Sequence, residues 1–136
     1  MLRRSSTPNI LIIDDDLDTI GLLRLVLQRA GYNAVTATSW EEASDRIRLA
    51  ADQFKHFDLV ILDIMMPGRS GFDVFNSLQV VLHPMPPVIF LSAKSSLDTI
   101  AKAKDLGAAK YLVKPTTKEK LLSTVETVLQ EAARFK

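Results

Sequence analysis

The stretch Leu59–Gly71, LVILDIMMPGRSG, constrains the fold more than any other. Leu59, Val60, Ile61 and Leu62 run without interruption into one carboxylate, Asp63. A continuous apolar run this short reads as a strand buried on both faces, as in a parallel sheet covered by helices. Pro67, Gly68 and Gly71 then break the chain, so Asp63 falls where a strand ends and a loop begins. Ligands bind at that edge of open parallel sheets. A carboxylate placed there is costly unless it is exposed or partnered, so the rest of the chain must supply partners.

The same strand-then-helix pattern occurs five times. Asn9–Ile13 is a branched-aliphatic run ending at Asp14, Asp15 and Asp16. The helix behind it carries Ile20, Leu23, Val26, Leu27 and Ala30 and stops at Gly31. Ala34–Ala37 is a weaker strand. Ser39 can cap the next helix, which has Glu41 and Glu42 in its first turn and Trp40, Ala43, Ile47 and Ala51 facing inward. After Gly71, Phe72, Phe75, Leu78 and Leu82 mark a third helix, and HPMPP (83–87) makes a stiff loop. Val88–Leu91 ends at Ser92, and a polar helix over Leu97–Leu106 closes at Gly107. Tyr111–Val113 ends at Lys114-Pro115. Thr116 or Thr117 caps a last helix facing inward with Leu121, Val125, Val128 and Ala132. Regular alternation of this kind predicts one doubly wound α/β domain. Its five parallel strands carry helices on both faces, because each crossover between parallel strands needs a helix and is right-handed.

Composition removes several classes of function. The chain has 136 residues, about one domain. Its 17 Lys and Arg nearly balance 16 Asp and Glu, which is not the footprint of a nucleic-acid binder. With no cysteine there is no disulfide, thiolate catalysis or cysteine-ligated zinc. No apolar run approaches the roughly 18–20 residues of a membrane span, and the N-terminal residues do not resemble a signal peptide. The expectation is a flexible tail over residues 1–8, one domain over 9–136, and a cytoplasmic location.

In a parallel sheet the strand ends line one edge. The first strand delivers Asp14 and Asp15 there, the third Asp63, the fourth Ser92 and the fifth Lys114. Three carboxylates together repel and titrate as a coupled set. A divalent cation resolves that conflict, and oxygen-only donors suit Mg2+ (or Mn2+), which accepts one or two carboxylates, water and a phosphate. Lys114 can pair with Asp63 or with a phosphoryl oxygen, and Ser92 offers a hydroxyl to the same group. The set fits phosphoryl transfer onto Asp63 as nucleophile.

From about Asn9 to Arg134 the chain resembles the response-regulator receiver domains of two-component signalling. The matching segments are ILIIDDD, LVILDIMMPGRSG, VIFLSAK and KYLVKP. The resemblance implies a flavodoxin-like, chemotaxis-regulator-like sheet in the order 2-1-3-4-5, with two helices on one face and three on the other. It implies that Asp63 accepts phosphate from a histidine kinase or a phosphotransfer protein. Asp14 and Asp15 would hold the metal together with Asp63 and the backbone carbonyl of Met65, and Asp16 would be the first helix-proximal residue. Ser92 and Tyr111 would form a switch that reshapes the face of the fourth helix, fifth strand and fifth helix for a downstream effector domain or protein. The Lys114-Pro115 bond would be cis.

Three other readings compete. A haloacid-dehalogenase-like phosphatase needs a second aspartate two residues after the nucleophile, where this chain has Met65. A nucleotide or flavin binder wants a Gly-rich or hydroxyl-rich loop after the first strand, where three aspartates stand. A receiver serving only as an interaction module would not need all five site residues. Lys102, Lys104, Asp105, Lys110 and Glu119 would mix charges on the switch face, which allows a homodimer held by reciprocal salt bridges.

Overall fold

The computed structural model describes residues 7–134, so most of the expected N-terminal tail, residues 1–6, lies outside the described residues. Five strands and five helices alternate: β1 (Asn9–Ile13), α1 (Leu17–Arg29), β2 (Asn33–Ala37), α2 (Trp40–Asp52), β3 (Leu59–Leu62), α3 (Gly71–Val81), β4 (Val88–Ser92), α4 (Leu97–Leu106), β5 (Lys110–Val113) and α5 (Lys118–Ala133). All strand pairs are parallel, in the order β2-β1-β3-β4-β5. β1, β3 and β4 lie inside the sheet, and their residues are buried almost throughout, as their unbroken apolar runs require.

Side chains alternate across the sheet and build two cores. On one face Ile10, Ile12, Ile61, Leu91 and Leu112 meet Leu23 and Leu27 of α1 and Leu121, Val125 and Val128 of α5. On the other, Leu11, Ile13, Val60, Leu62 and Phe90 meet Ala43 of α2, Val74, Phe75 and Leu78 of α3, and Ala103 of α4. Two helices therefore cover one face and three the other. Among the described residues no helix is long and apolar enough to cross a membrane.

Local chemistry starts each helix where it begins. Asp16, Ser39, Ser70, Ser96 and Thr117 each accept a hydrogen bond from an amide two or three residues on. Of the two threonines open to cap the last helix, Thr117 does so. On α2 Trp40, Ala43, Ile47 and Ala50 pack in the core; Ala51, expected inward, is exposed. The Lys114-Pro115 bond is cis as the resemblance implied, and His83-Pro84 in the HPMPP loop is cis as well.

Candidate phosphoacceptor site

Backbone bonds carry the sheet one residue past several strand ends. The Asp14 N–H donates to the Ala37 carbonyl (3.1 Å), the Asp63 N–H to the Ile13 carbonyl (3.0 Å) and the Lys114 N–H to the Ser92 carbonyl (2.8 Å). The side chains read from the sequence as one constellation are thereby fixed to a single sheet edge. Carboxylate oxygens of Asp14, Asp15 and Asp63 all lie within 4.8 Å of one another. The Lys114 ammonium donates to Asp14 Oδ2 at 2.7 Å and to Asp63 Oδ2 at 3.0 Å. Asp14 and Asp63 are 2% and 5% exposed, so these are largely dehydrated charges, whereas Asp15 faces solvent. Asp16 stands apart as the N-cap of α1, holding the Asp18 amide and the Thr19 hydroxyl. That leaves Asp14 and Asp15 as the acid pair beside Asp63.

The loop after β3 is built close to the carboxylate. The Met65 N–H donates to Asp63 Oδ1 (3.1 Å), and the Gly71 N–H returns to the Ile64 carbonyl (2.9 Å). Ser70 and Asp73 form a reciprocal capping box that begins α3. Ser92 is wholly buried at the end of β4, and its Oγ accepts the Lys94 N–H at 3.3 Å. The half-buried Tyr111 ring lies 6.3 Å from Phe90, and its hydroxyl donates to the Lys94 carbonyl at 2.6 Å. Lys94 thus ties both expected switch residues to the β4–α4 loop.

Burial raises the Asp14 carboxyl above its usual 3.8; Lys114 and the Asp16 amide oppose the rise and the Asp63 charge adds to it. Burial pulls the Lys114 ammonium down, but its bonds to Asp14 and Asp63 outweigh this and hold it above 10.5. The Tyr111 phenol is raised, mainly by burial. Three carboxylates against one ammonium leave a net negative, oxygen-lined edge. That donor set fits a hard divalent cation, with Asp14, Asp15 and Asp63 as the side chains to hold it.

Two predictions follow from these charges. Lys114→Met leaves Asp14 and Asp63 buried without their cation and should lower stability by about 3 kcal/mol, read from the urea midpoint, with Mg2+ restoring part of the loss. In the wild type, a carboxyl raised in the folded state favours folding when protonated. Its contribution is complete below pH 3.8 and is lost as pH rises through the raised folded value. The Lys114 contribution holds at all pH below 10.5 and is lost above its own raised value. A cation would bind the deprotonated cluster, so the stabilising effect of Mg2+ on the melting temperature should be largest near neutral pH and shrink as pH falls through the raised Asp14 value toward 3.8. An effect undiminished at pH 3.8 refutes the proposed placing of Asp14 at the metal.

The model of the response regulator receiver domain family matches residues 10–126. The chain belongs to that family and is a signalling domain of response regulators. The transcriptional regulatory protein ZraR of Escherichia coli K12 is 33% identical over 121 residues, 89% of this chain and 26% of that protein. The cell cycle transcriptional regulator CtrA of Caulobacter vibrioides is 31% identical over 123 residues, 90% of this chain and 51% of that protein. The chain thus spans about a quarter to a half of the length of these curated relatives. Among solved structures, the chemotaxis protein CheY4 of Vibrio cholerae superposes with a TM-score of 0.76 at 31% identity, covering 90% of this chain and 99% of that one.

Several features of the site had no sequence signal strong enough to find them. Arg69 lies 5.5 Å from the Trp40 ring, and Lys102 lies 4.6 Å from the Phe72 ring. Lys102 therefore leans toward α3, and it leaves the set of charges expected to pair across the α4–β5–α5 face.

Proposed function

We propose that the domain accepts a phosphoryl group on Asp63 from a histidine kinase or phosphotransfer protein and passes the signal on through its surface. The observation that carries this reading is the double ion pair of Lys114 with two buried carboxylates, Asp14 and Asp63, beside a third, Asp15. An Asp63 oxygen attacks phosphorus, a P–O bond forms, and the bond to the donor nitrogen breaks with its electrons leaving on the imidazole. Asp14, Asp15, Asp63 and the Met65 carbonyl would hold Mg2+ (or Mn2+), which would neutralise charge on the phosphoryl oxygens. Lys114 exchanges one carboxylate contact for a phosphoryl oxygen, and the buried Ser92 hydroxyl donates to another.

Leu17, Leu22 and Leu25 are exposed on α1, and Leu22 lines a hollow of about 410 Å3 with Thr19, Ala93, Lys114 and Pro115. Apolar surface beside the nucleophile supports docking of a helical phosphodonor. When Ser92 swings to the phosphoryl group it gives up the Lys94 amide, which loosens the loop held by Tyr111 and carries the change to the α4–β5–α5 face. That face would signal an effector domain or a partner protein; Lys104, Asp105, Lys110 and Glu119, all exposed, are the charges available to a homodimer there. The domain in this reading catalyses only its own phosphorylation and dephosphorylation. The test is incubation with acetyl phosphate and Mg2+: intact-mass spectrometry should show one added, hydroxylamine-labile phosphoryl group, and no uptake by folded protein overturns the reading.

A further inference from the structure

The geometry points to Arg69 as a positioning residue for the metal-binding loop, acting through Trp40, so that the single tryptophan reports on the site. The inference rests on the proposed metal and phosphoacceptor reading of Asp63.

The loop between Asp63 and α3 has little to hold it. Met65, Pro67 and Gly68 are exposed, Gly68 has φ +82°, and Met66 is the loop's half-buried apolar anchor. The Arg69 N–H closes a tight turn onto the Pro67 carbonyl (3.0 Å). Its side chain then reaches in two directions. The guanidinium donates to the Asp73 carbonyl at 3.2 Å and to the Ser77 hydroxyl, both on α3. The same group sits 5.5 Å from the centroid of the Trp40 ring.

Trp40 is a fixed support. It is the first residue of α2, directly after the Ser39 cap, and packs half-buried against the core under α2, α3 and α4. The preceding turn is fastened by Glu42, whose carboxylate accepts both the Thr38 amide and the Thr38 hydroxyl at 2.7 Å. Arg69 thus braces the loop that bears Met65 against the N-terminus of α2 on one side and the first two turns of α3 on the other. A planar guanidinium serves both contacts at once, stacking on the ring and presenting forked donors.

A brace of this kind acts on metal affinity more than on chemistry. Arg69→Ala should weaken Mg2+ binding about threefold to tenfold, measured by isothermal titration calorimetry, because the loop must then be ordered when the metal binds. At saturating Mg2+ the acetyl-phosphate rate should return to within about twofold of wild type, so the loss lies in the metal requirement and not in the maximal rate. Arg69→Lys keeps a cation for the ring but loses the fork and should recover part of the affinity. Trp40 emission in Arg69→Ala should also shift to the red, since the ring loses its cover.

Circular dichroism and melting of each variant report the fold separately. An unchanged Mg2+ affinity in folded Arg69→Ala overturns the inference, as does a rate deficit that saturating Mg2+ leaves in place. Failure of the wild type itself to bind Mg2+ is the distinct result that overturns the underlying reading.

Discussion

Asp63→Asn is expected to take up no phosphoryl group from acetyl phosphate and Mg2+ under conditions that should label the wild type. The substitution is nearly isosteric and replaces a nucleophilic carboxylate with an amide of negligible nucleophilicity. The scaffold should survive. The amide oxygen can still accept the Met65 N–H, and Lys114 keeps its 2.7 Å bond to Asp14. One of three mutually repelling carboxylates is gone, so the urea midpoint should stay at or above that of wild type. Mg2+ affinity should fall at the same time, because the cation loses one anionic ligand. Intact-mass spectrometry and urea unfolding read the two effects independently. Labelling of Asp63→Asn to the wild-type level would falsify the assignment of the nucleophile, whatever its stability.

The second large effect is expected at Gly71. A methyl group there would meet the Asp63 carbonyl oxygen at 2.2 Å, the Ile64 Cα at 2.6 Å and the Asp63 carbonyl carbon at 2.9 Å. All three are backbone atoms at the end of β3 and cannot rotate away. Gly71→Ala must push α3 off the strand or displace the peptide that carries the nucleophile. The expected cost is about 3 kcal/mol, the upper end for overpacking. Phosphoryl uptake should fall with it, and high Mg2+ should not restore it, because the displaced element is the backbone that carries Asp63. Gly21, exposed within α1 with nothing within 4 Å of an added methyl, is the control. Gly21→Ala should raise stability by about 0.5–1 kcal/mol through helix propensity. A Gly71→Ala protein as stable and active as wild type contradicts the close approach.

Much of the fold was legible because the central strands are buried on both faces. β1, β3 and β4 announce themselves as unbroken aliphatic runs, and a doubly covered strand tolerates nothing else. The edge strand β2, with Asn33 and Thr36, is weaker in sequence because one side borders solvent and selects less strictly. Two helix starts, at Ser39 and at Thr116 or Thr117, were readable from single caps; the buried face of α2 slipped from Ala51 to Ala50 because Ala, at either position, adds little to the periodic signal. The acidic run 14–16 was divided in sequence by the end of the strand, with Asp14 and Asp15 directly behind it and Asp16 toward the helix; the structure adds that Asp16 caps α1. The Arg69–Trp40 contact was not legible at all. It depends on where the β3–α3 loop passes the N-terminus of α2, and no periodicity encodes that.

The bond between Lys114 and Asp14 spans 100 residues of sequence. During synthesis, Asp14 and Asp63 leave the ribosome well before Lys114, and until β5 docks beside β4 their charges have no ammonium between them. On the proposed reading, a chain that stops short of β5 would carry Asp63 without the ammonium that pairs with it, and would be expected to take up no phosphoryl group.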